Sequence, residues 1–229
     1  MNANLESLYQ IAQKPSRTII GLMSGTSLDG LDVALCKISG SGENTEVQLI
    51  QFDTVDYSEQ SLSNVEFVNC EFINCNFSKS DLSHNDFLDS TFKNCNLSLA
   101  TLRNTGLKNI NFIGCKLMGL DFSASNSFLF SMSFQDCLLD YSTFIYKKLK
   151  KTNFIDCSLK DVDFSNTDLS LAVFKNCDLS GATFVESILE KTDFRTSRNY
   201  AFDPSENKIK RTKVSHAALA GLLLELCQA

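Results

Sequence analysis

A large apolar residue returns at every fifth position from Phe67 to Phe122. After a slip of two residues the same beat resumes at Leu129 and runs to Phe194. Neither common period fits. A helix repeats its apolar positions every three to four residues and a half-buried strand every second. A five-residue phase held this long is an internal repeat. One such unit is too short to bury its own apolar face, so it gains stability only by stacking on its neighbours. A second rule lies two residues before each large residue, where most side chains are small: Cys70, Cys75, Ser80, Ser90, Cys95 and Ala100 among them. The position directly before the large residue is often Asp or Asn, as at Asn76, Asp81, Asp121, Asp163, Asp178 and Asp193.

The pattern small, Asp/Asn, Leu/Phe, then two variable polar residues resembles that of a pentapeptide-repeat protein. The resemblance implies a mainly β fold, a right-handed quadrilateral β-helix in which one pentad forms one side and four pentads one turn. Large and small inward residues would then fill a narrow shaft without voids. Backbone groups would pair with the turns above and below, about 4.8 Å away.

The cysteines bear on this picture. Cys75, Cys95 and Cys115 are spaced by twenty residues, as are Cys137, Cys157 and Cys177. Each trio should stack on one side as an inward ladder, beside the large residues Phe77, Leu97 and Leu117, then Leu139, Leu159 and Leu179. From Cys115 to Cys137 is 22 residues, one turn plus the slip, so the spacing predicts a bulge or loop over 124–128 with the same sides continuing beyond it. Buried thiols behave as small hydrophobes. The absence of any CxxC pair and the two His in the chain argue against a metal site.

The first sixty residues follow another logic. Thr18–Met23, Leu31–Ile38 and Glu46–Asp56 read as strands separated by polar turns. A short helix is expected over Asn4–Gln13. The stretch from Ile20 to Leu35, Ile-Gly-Leu-Met-Ser-Gly-Thr-Ser-Leu-Asp-Gly-Leu-Asp-Val-Ala-Leu, is similar to the opening of anhydro-N-acetylmuramic acid kinase. That family phosphorylates a recycled cell-wall sugar with ATP and Mg²⁺. The resemblance implies that Gly25, Thr26, Ser27, Asp29 and Gly30 turn around the nucleotide phosphates, with Asp32 at the second acidic position. Backbone N–H groups in such turns form anion-binding concavities. The likeness stops where the pentads begin, short of the family's second lobe, sugar pocket and catalytic base. Phosphoryl transfer needs several such parts at once.

The organisation expected is therefore a kinase-like fragment over 1–60, a solenoid over 61–197 and a cap over 198–229. Tyr57–Asn64 reads as a polar linker. Ser215 would cap a terminal helix over 215–227, whose Leu219, Leu222, Leu223 and Leu226 make one apolar face. Leu224 extends that face, which predicts partial exposure or a homodimer seam. A net charge of −6 argues against nonspecific nucleic-acid binding. Residues 1–13 lack the pattern of a secretory signal, and no apolar run reaches membrane-spanning length. Nine cysteines then read as reduced thiols in a cytoplasmic protein. Lys147-Lys-Leu-Lys-Lys151 is a local basic cluster. Lys147 occupies a small-residue position, so it should bend outward or mark a distortion. His84 and His216 are expected at the surface.

Nothing in the pentads converges as a nucleophile, an acid–base pair or a metal site. The leading expectation is a non-catalytic interaction or scaffold protein with an unknown protein partner, no cofactor and no membrane association. Two alternatives come from the resemblances: an ATP-dependent sugar kinase, and a gyrase-binding DNA mimic of the quinolone-resistance type. The mimic needs a strongly acidic rod, and residues 64–197 carry sixteen acids against thirteen bases.

Overall fold

A computed structural model describes the backbone of residues 16–24, 31–39 and 46–52, and both backbone and side chains of 57–128 and 130–216. The chain divides into two compact units, Met1–Val55 and Asp56–Ala229. In the first, strands β1 (Ser16–Ser24), β2 (Leu31–Ser39) and β3 (Glu46–Phe52) form an antiparallel sheet in that order. Ser16 pairs with Ser39 and Ser24 with Leu31, and a bulge shifts the register of β2 against β3 at Leu35/Cys36. The expected helix over 4–13 and the turn carrying Gly25, Thr26, Ser27, Asp29 and Gly30 lie outside the described residues. Asp32 lies in β2, opposite Met23.

The second unit is a parallel β-solenoid. Strands β5 (Glu71–Ile73), β7 (Thr91–Lys93), β9 (Ile110–Ile113), β10 (Met132–Gln135), β11 (Asn153–Ile155) and β12 (Val173–Lys175) pair side by side in one parallel sheet. Strands β4 (Glu66–Val68), β6 (Asp86–Leu88) and β8 (Gly106–Lys108) form a second parallel sheet. The remaining sides pair through single bridges in the same twenty-residue register, such as Ser158 with Asp178 and Asp163 with Thr183. Successive bridge sites fall five residues apart along each turn. The four sides can be named by their central residues in one turn: the Leu159, Phe164, Leu169 and Phe174 faces.

Away from the slip and the last turn, each pentad turns its corner with a residue of positive φ, two positions after the large residue: Asn69 (55°), Asn74 (56°), Lys79 (56°), His84 (61°) and so on along the rod. Asn and Asp tolerate this left-handed conformation better than other side chains, which explains their abundance at those corners. The Asp/Asn before the large residue has a different role. Its side-chain oxygen accepts the backbone N–H two residues on, as Asp81 does from Ser83 (3.0 Å), Asp163 from Ser165 (2.8 Å) and Asp168 from Ser170 (2.9 Å). Such turns give a short polar side chain the work of a backbone turn.

Inside, the large residues stack in columns. Phe72, Phe92, Phe112, Phe134, Phe154, Phe174 and Phe194 follow one another with ring centroids 4.5–5.4 Å apart. Phe122, Phe144, Phe164 and Phe184 make a second column, set edge-on to the first. Stacked and edge-on pairs at these distances suit the ring quadrupole.

Two boundaries differ from the sequence expectation. Tyr57–Asn64, polar in composition, is hydrogen-bonded in as a first turn: Tyr57 N donates to Asn76 O, Leu62 N to Asp81 O and Asn64 N to His84 O. Its polarity follows from its outward positions, while the Tyr57 ring stacks on Phe77 at 5.3 Å. At the other end, parallel pairing continues through Lys208 and Lys213. The expected 215–227 helix, with its dimer seam, lies outside the described residues beyond His216.

The slip falls between Phe122 and Phe134. Pairing is displaced by 22 residues there, with Lys116 opposite Leu138, Asp121 opposite Thr143 and Phe112 opposite Phe134. The sides continue in register beyond it. Phe130 is buried on this step; Leu129, the expected inward residue, lies outside the described residues.

Candidate functional site

Six cysteines, Cys75, Cys95, Cys115, Cys137, Cys157 and Cys177, are buried and unbridged on one side of the shaft. They alternate with the buried large residues Phe77, Leu97, Leu117, Leu139, Leu159 and Leu179. The thiols of Cys95, Cys115 and Cys177 donate to carbonyls one turn back, those of Phe72 (3.3 Å), Phe92 (3.3 Å) and Phe154 (3.4 Å). Ser197 ends the column with the same bond, to Phe174 O at 2.9 Å. Hydrogen bonding between stacked thiols, together with burial, raises Cys95 and Cys157 well above the ordinary thiol range. Cys137, bonded to Cys115, is pushed up to about 12. Within the same column Cys115 and Cys177 shift the other way, so the geometry decides: all six thiols are buried and donate to backbone carbonyls, and the column works as packing. Among the described residues no group of three or more His, Cys, Asp or Glu is placed to hold a metal ion. Nor is any helix there long and apolar enough to cross a membrane.

The carboxylates are committed to the backbone that carries them. Hydrogen bonds from Asn199 and Ser180 hold Asp178 well below the usual carboxylate range. Arg195 does the same for Asp193, and Ser205 for Asp203. The Ser83 hydrogen bonds lower Asp81. Each of these four acids accepts the backbone N–H two residues on and so closes its own turn.

Lys147 departs from the rule of its column. The residues above and below it bond inward with short side chains: Thr105 Oγ1 to Leu82 O, Thr167 Oγ1 to Phe144 O and Ser187 Oγ to Phe164 O, each at 2.8 Å. Lys147 also points inward and is only 2 % exposed, so it does not bend out to solvent. Its Nζ donates to Ser125 O (2.6 Å) and Ser127 Oγ (2.9 Å) and lies 4.9 Å from the centre of the Phe130 ring. Burial pushes this ammonium below its usual pKa, and the Asp121 carboxylate opposes the shift. The physical reason for its direction is the slip. Two extra residues lift the chain away from the shaft, and the long side chain fills the gap and satisfies a carbonyl that pairing has released. Lys147 does mark the distortion, from inside.

Reading down the columns shows what reading along the chain conceals. Adding twenty to Lys148 gives Asp168, then Ile188 and Lys208; adding twenty to Lys151 gives Leu171, then Lys191 and Arg211. Lys148–Lys151 and Lys208–Arg211 are far apart in sequence. The fold puts them on one face and one corner. His84 and His216 are exposed.

Comparison with known proteins agrees with this architecture. Two family models, "Pentapeptide repeat region" over residues 65–144 and "Pentapeptide repeats (8 copies)" over 133–170 and 157–195, together span more than half of the chain. The chain belongs to the pentapeptide-repeat family. Among solved structures of the family, a trypsin-treated variant of QnrB1, a plasmid-mediated fluoroquinolone resistance protein, is 21 % identical with a TM-score of 0.46, covering 76 % of this chain and 98 % of that one. HetL, a pentapeptide-repeat protein involved in heterocyst differentiation regulation from the cyanobacterium Nostoc, is 15 % identical with a TM-score of 0.41, covering 72 % and 88 %. The front segment has different relatives. It is similar to anhydro-N-acetylmuramic acid kinase of Pseudoalteromonas atlantica, 63 % identical over 59 residues, 26 % of this chain and 15 % of the kinase. The match to the enzyme of Pseudoalteromonas translucida is 54 % over 68 residues, 30 % and 17 %. The chain thus spans about a sixth of the length of these curated relatives.

Proposed function

We propose that this pentapeptide-repeat protein is a non-catalytic interaction rod that carries the opening segment of a sugar kinase. One observation carries the reading: the Asp side chains that might have served as acids or bases close their own turns, with oxygens 2.8–3.0 Å from N–H groups at Ser83, Ser123, Ser165 and Ser170. Catalysis by acid or base needs a group free to take up or release a proton near working pH. Carboxylates whose oxygens are spent on their own turns, and which are spaced along the rod, do not converge on one reacting group. The rod therefore works by shape and surface charge, as repeat proteins do. Mixed charge along the rod gives no support to the DNA-mimic alternative.

The test has two arms. A photoreactive residue at the exposed corner position Tyr141 should give one adduct of defined mass in the native cell, and a second copy of the chain would appear as an adduct of twice the chain mass. The absence of a defined adduct from this corner and from every other rod face would remove the reading. In the second arm, the chain with ATP–Mg²⁺ and anhydro-N-acetylmuramic acid should transfer no phosphate. The kinase reading is favoured by the identity of the front segment, and it replaces ours if transfer is seen and Asp29→Ala abolishes it.

A further inference from the structure

We infer that the half of the Leu169 face beyond the slip binds single-stranded nucleic acid. Lys148, Lys150, Lys208 and Lys210 project outward on this face, and Lys151, Lys191 and Arg211 stand at its corner with positive φ. All seven are exposed, and none is in an ion pair among the described residues. Elsewhere on the rod Arg195 and Lys213 pair with Asp193, Arg198 with Asp178 and Lys93 with Glu71. The acids on this half-face and its two corners are Asp168, Glu186, Glu190 and Glu206, four against seven cations, and Asp168 is already engaged by Ser170 N. A chain of net charge −6 therefore holds a local cationic stripe. Lys148 to Lys208 spans three turns, roughly 15 Å along the rod at strand spacing. At that separation the charges sit within about two Debye lengths of one another in physiological salt. A polyanion laid along them releases its counterions, which drives binding.

Aromatic rings at the head of the stripe select the kind of polyanion. Tyr146, at the opposite corner of the same turn as Lys148, is 75 % exposed, and Phe128 on the slip loop is 76 % exposed. Tyr146 stands at a corner of the solenoid with φ at +61°. The corner carries the ring out from the face. Phe128 is carried by the loop that Lys147 fastens through Ser125 O and Ser127 Oγ. Two exposed rings beside a row of unpaired cations match the stacking platform and electrostatic track that hold unpaired bases. A duplex, whose bases are already stacked, offers the rings nothing. An acidic peptide would use the lysines and leave the rings idle.

The inference stands apart from the protein-scaffold reading, since it concerns one half-face and is measured with nucleic acid alone. The experiment is fluorescence anisotropy of the full chain with a labelled oligo-dT of ~12 nucleotides, from ~50 to ~200 mM salt. Affinity should fall with salt at about −0.7 log units per log unit for each phosphate engaged. Lys148→Glu with Lys150→Glu should weaken binding ~10-fold or more and flatten that slope. Tyr146→Ala should weaken it ~5-fold or more, while Tyr146→Phe restores it. Lys160→Glu with Lys175→Glu, on other faces, should change neither. Circular dichroism confirms the fold of each variant, and the Tyr146→Phe rescue does not depend on a disruptive change. Absence of binding at the lowest salt overturns the inference. So does equal binding of a duplex, equal competition by polyglutamate of matched charge, or equal loss in the Lys160/Lys175 variant.

Discussion

The Phe174 face and the Leu169 face of the same rod solve one problem in two ways. On the Phe174 face, six strands pair without interruption and a column of Phe rings runs from Phe72 to Phe194. On the Leu169 face the column begins as Phe67, Phe87 and Leu107, breaks at the slip, where Phe130 is buried, and resumes as Leu149, Leu169 and Leu189. The first face shows that in-register stacking tolerates one side-chain type repeated indefinitely. The second shows that a two-residue insertion can be absorbed on one side, provided a long side chain from the next turn closes the gap. The flat ring ladder holds the register of the turns while the interrupted side carries the variation: the loop, the exposed rings and the unpaired lysines.

Four changes would break or sharpen that contrast. The largest effect is expected from Phe154→Ala in the unbroken column. Phe154 is fully buried and stacked at 5.0 Å on Phe134 and 4.7 Å on Phe174. The loss should be about 3–5 kcal/mol, read from the urea midpoint. A change under about 1 kcal/mol would show that the ring column is not what holds the turns together.

On the interrupted side, Lys147→Ala should cost about 1–3 kcal/mol, because it leaves Ser125 O without its donor and a gap where the stem lay. Amide exchange over 124–128 should rise. Lys147→Met keeps most of the packing and loses the hydrogen bonds, so exchange should rise with a smaller fall in stability. Unchanged exchange in both variants would mean that the loop holds itself.

At a corner, Leu171→Asn should stabilise by up to about 1 kcal/mol. Leu171 holds φ at +63° and is 37 % exposed, so relief of backbone strain outweighs the lost burial. Destabilisation would show that its contact with neighbouring turns matters more than its φ.

The smallest effect concerns pH. Asp81, Asp178, Asp193 and Asp203 are all held below the usual Asp value when folded. Their contribution is complete above the unfolded value of about 3.9 and is lost as pH falls through the lower folded values. The urea midpoint should be level from neutral pH down to about 4.5 and decline below about 4. These carboxylates lie at the surface, where solvent screens them, so the decline should be gradual. A loss of stability between pH 7 and 5 would point to groups other than these.

Much of this could be read along the chain. The five-residue phase fixes which side chains enter the shaft, since a turn with room for one large and one small residue per side leaves no other arrangement. The twenty-residue spacing of Cys75, Cys95 and Cys115 gives the side count, and the 22-residue step to Cys137 locates the loop. Lys147 was harder to see. Charge argues for solvent, and only the gap beneath it and the released Ser125 carbonyl argue otherwise. The polar composition of Tyr57–Asn64 suggests a linker, yet an end turn pairs with a single neighbour and can be polar outside while fully hydrogen-bonded.

By itself the sequence determined the stack: its period, its inward residues and the place of its interruption. These are local, repeated choices, each imposed by the size of a side chain and the reach of five residues of backbone. The tertiary structure alone decided which distant residues become neighbours on the outside. Lys148 and Lys208 are sixty residues apart, and only parallel winding brings them onto one face. Outward side chains have no packing partner to encode their company, so their grouping becomes visible only once the turns are laid one upon another.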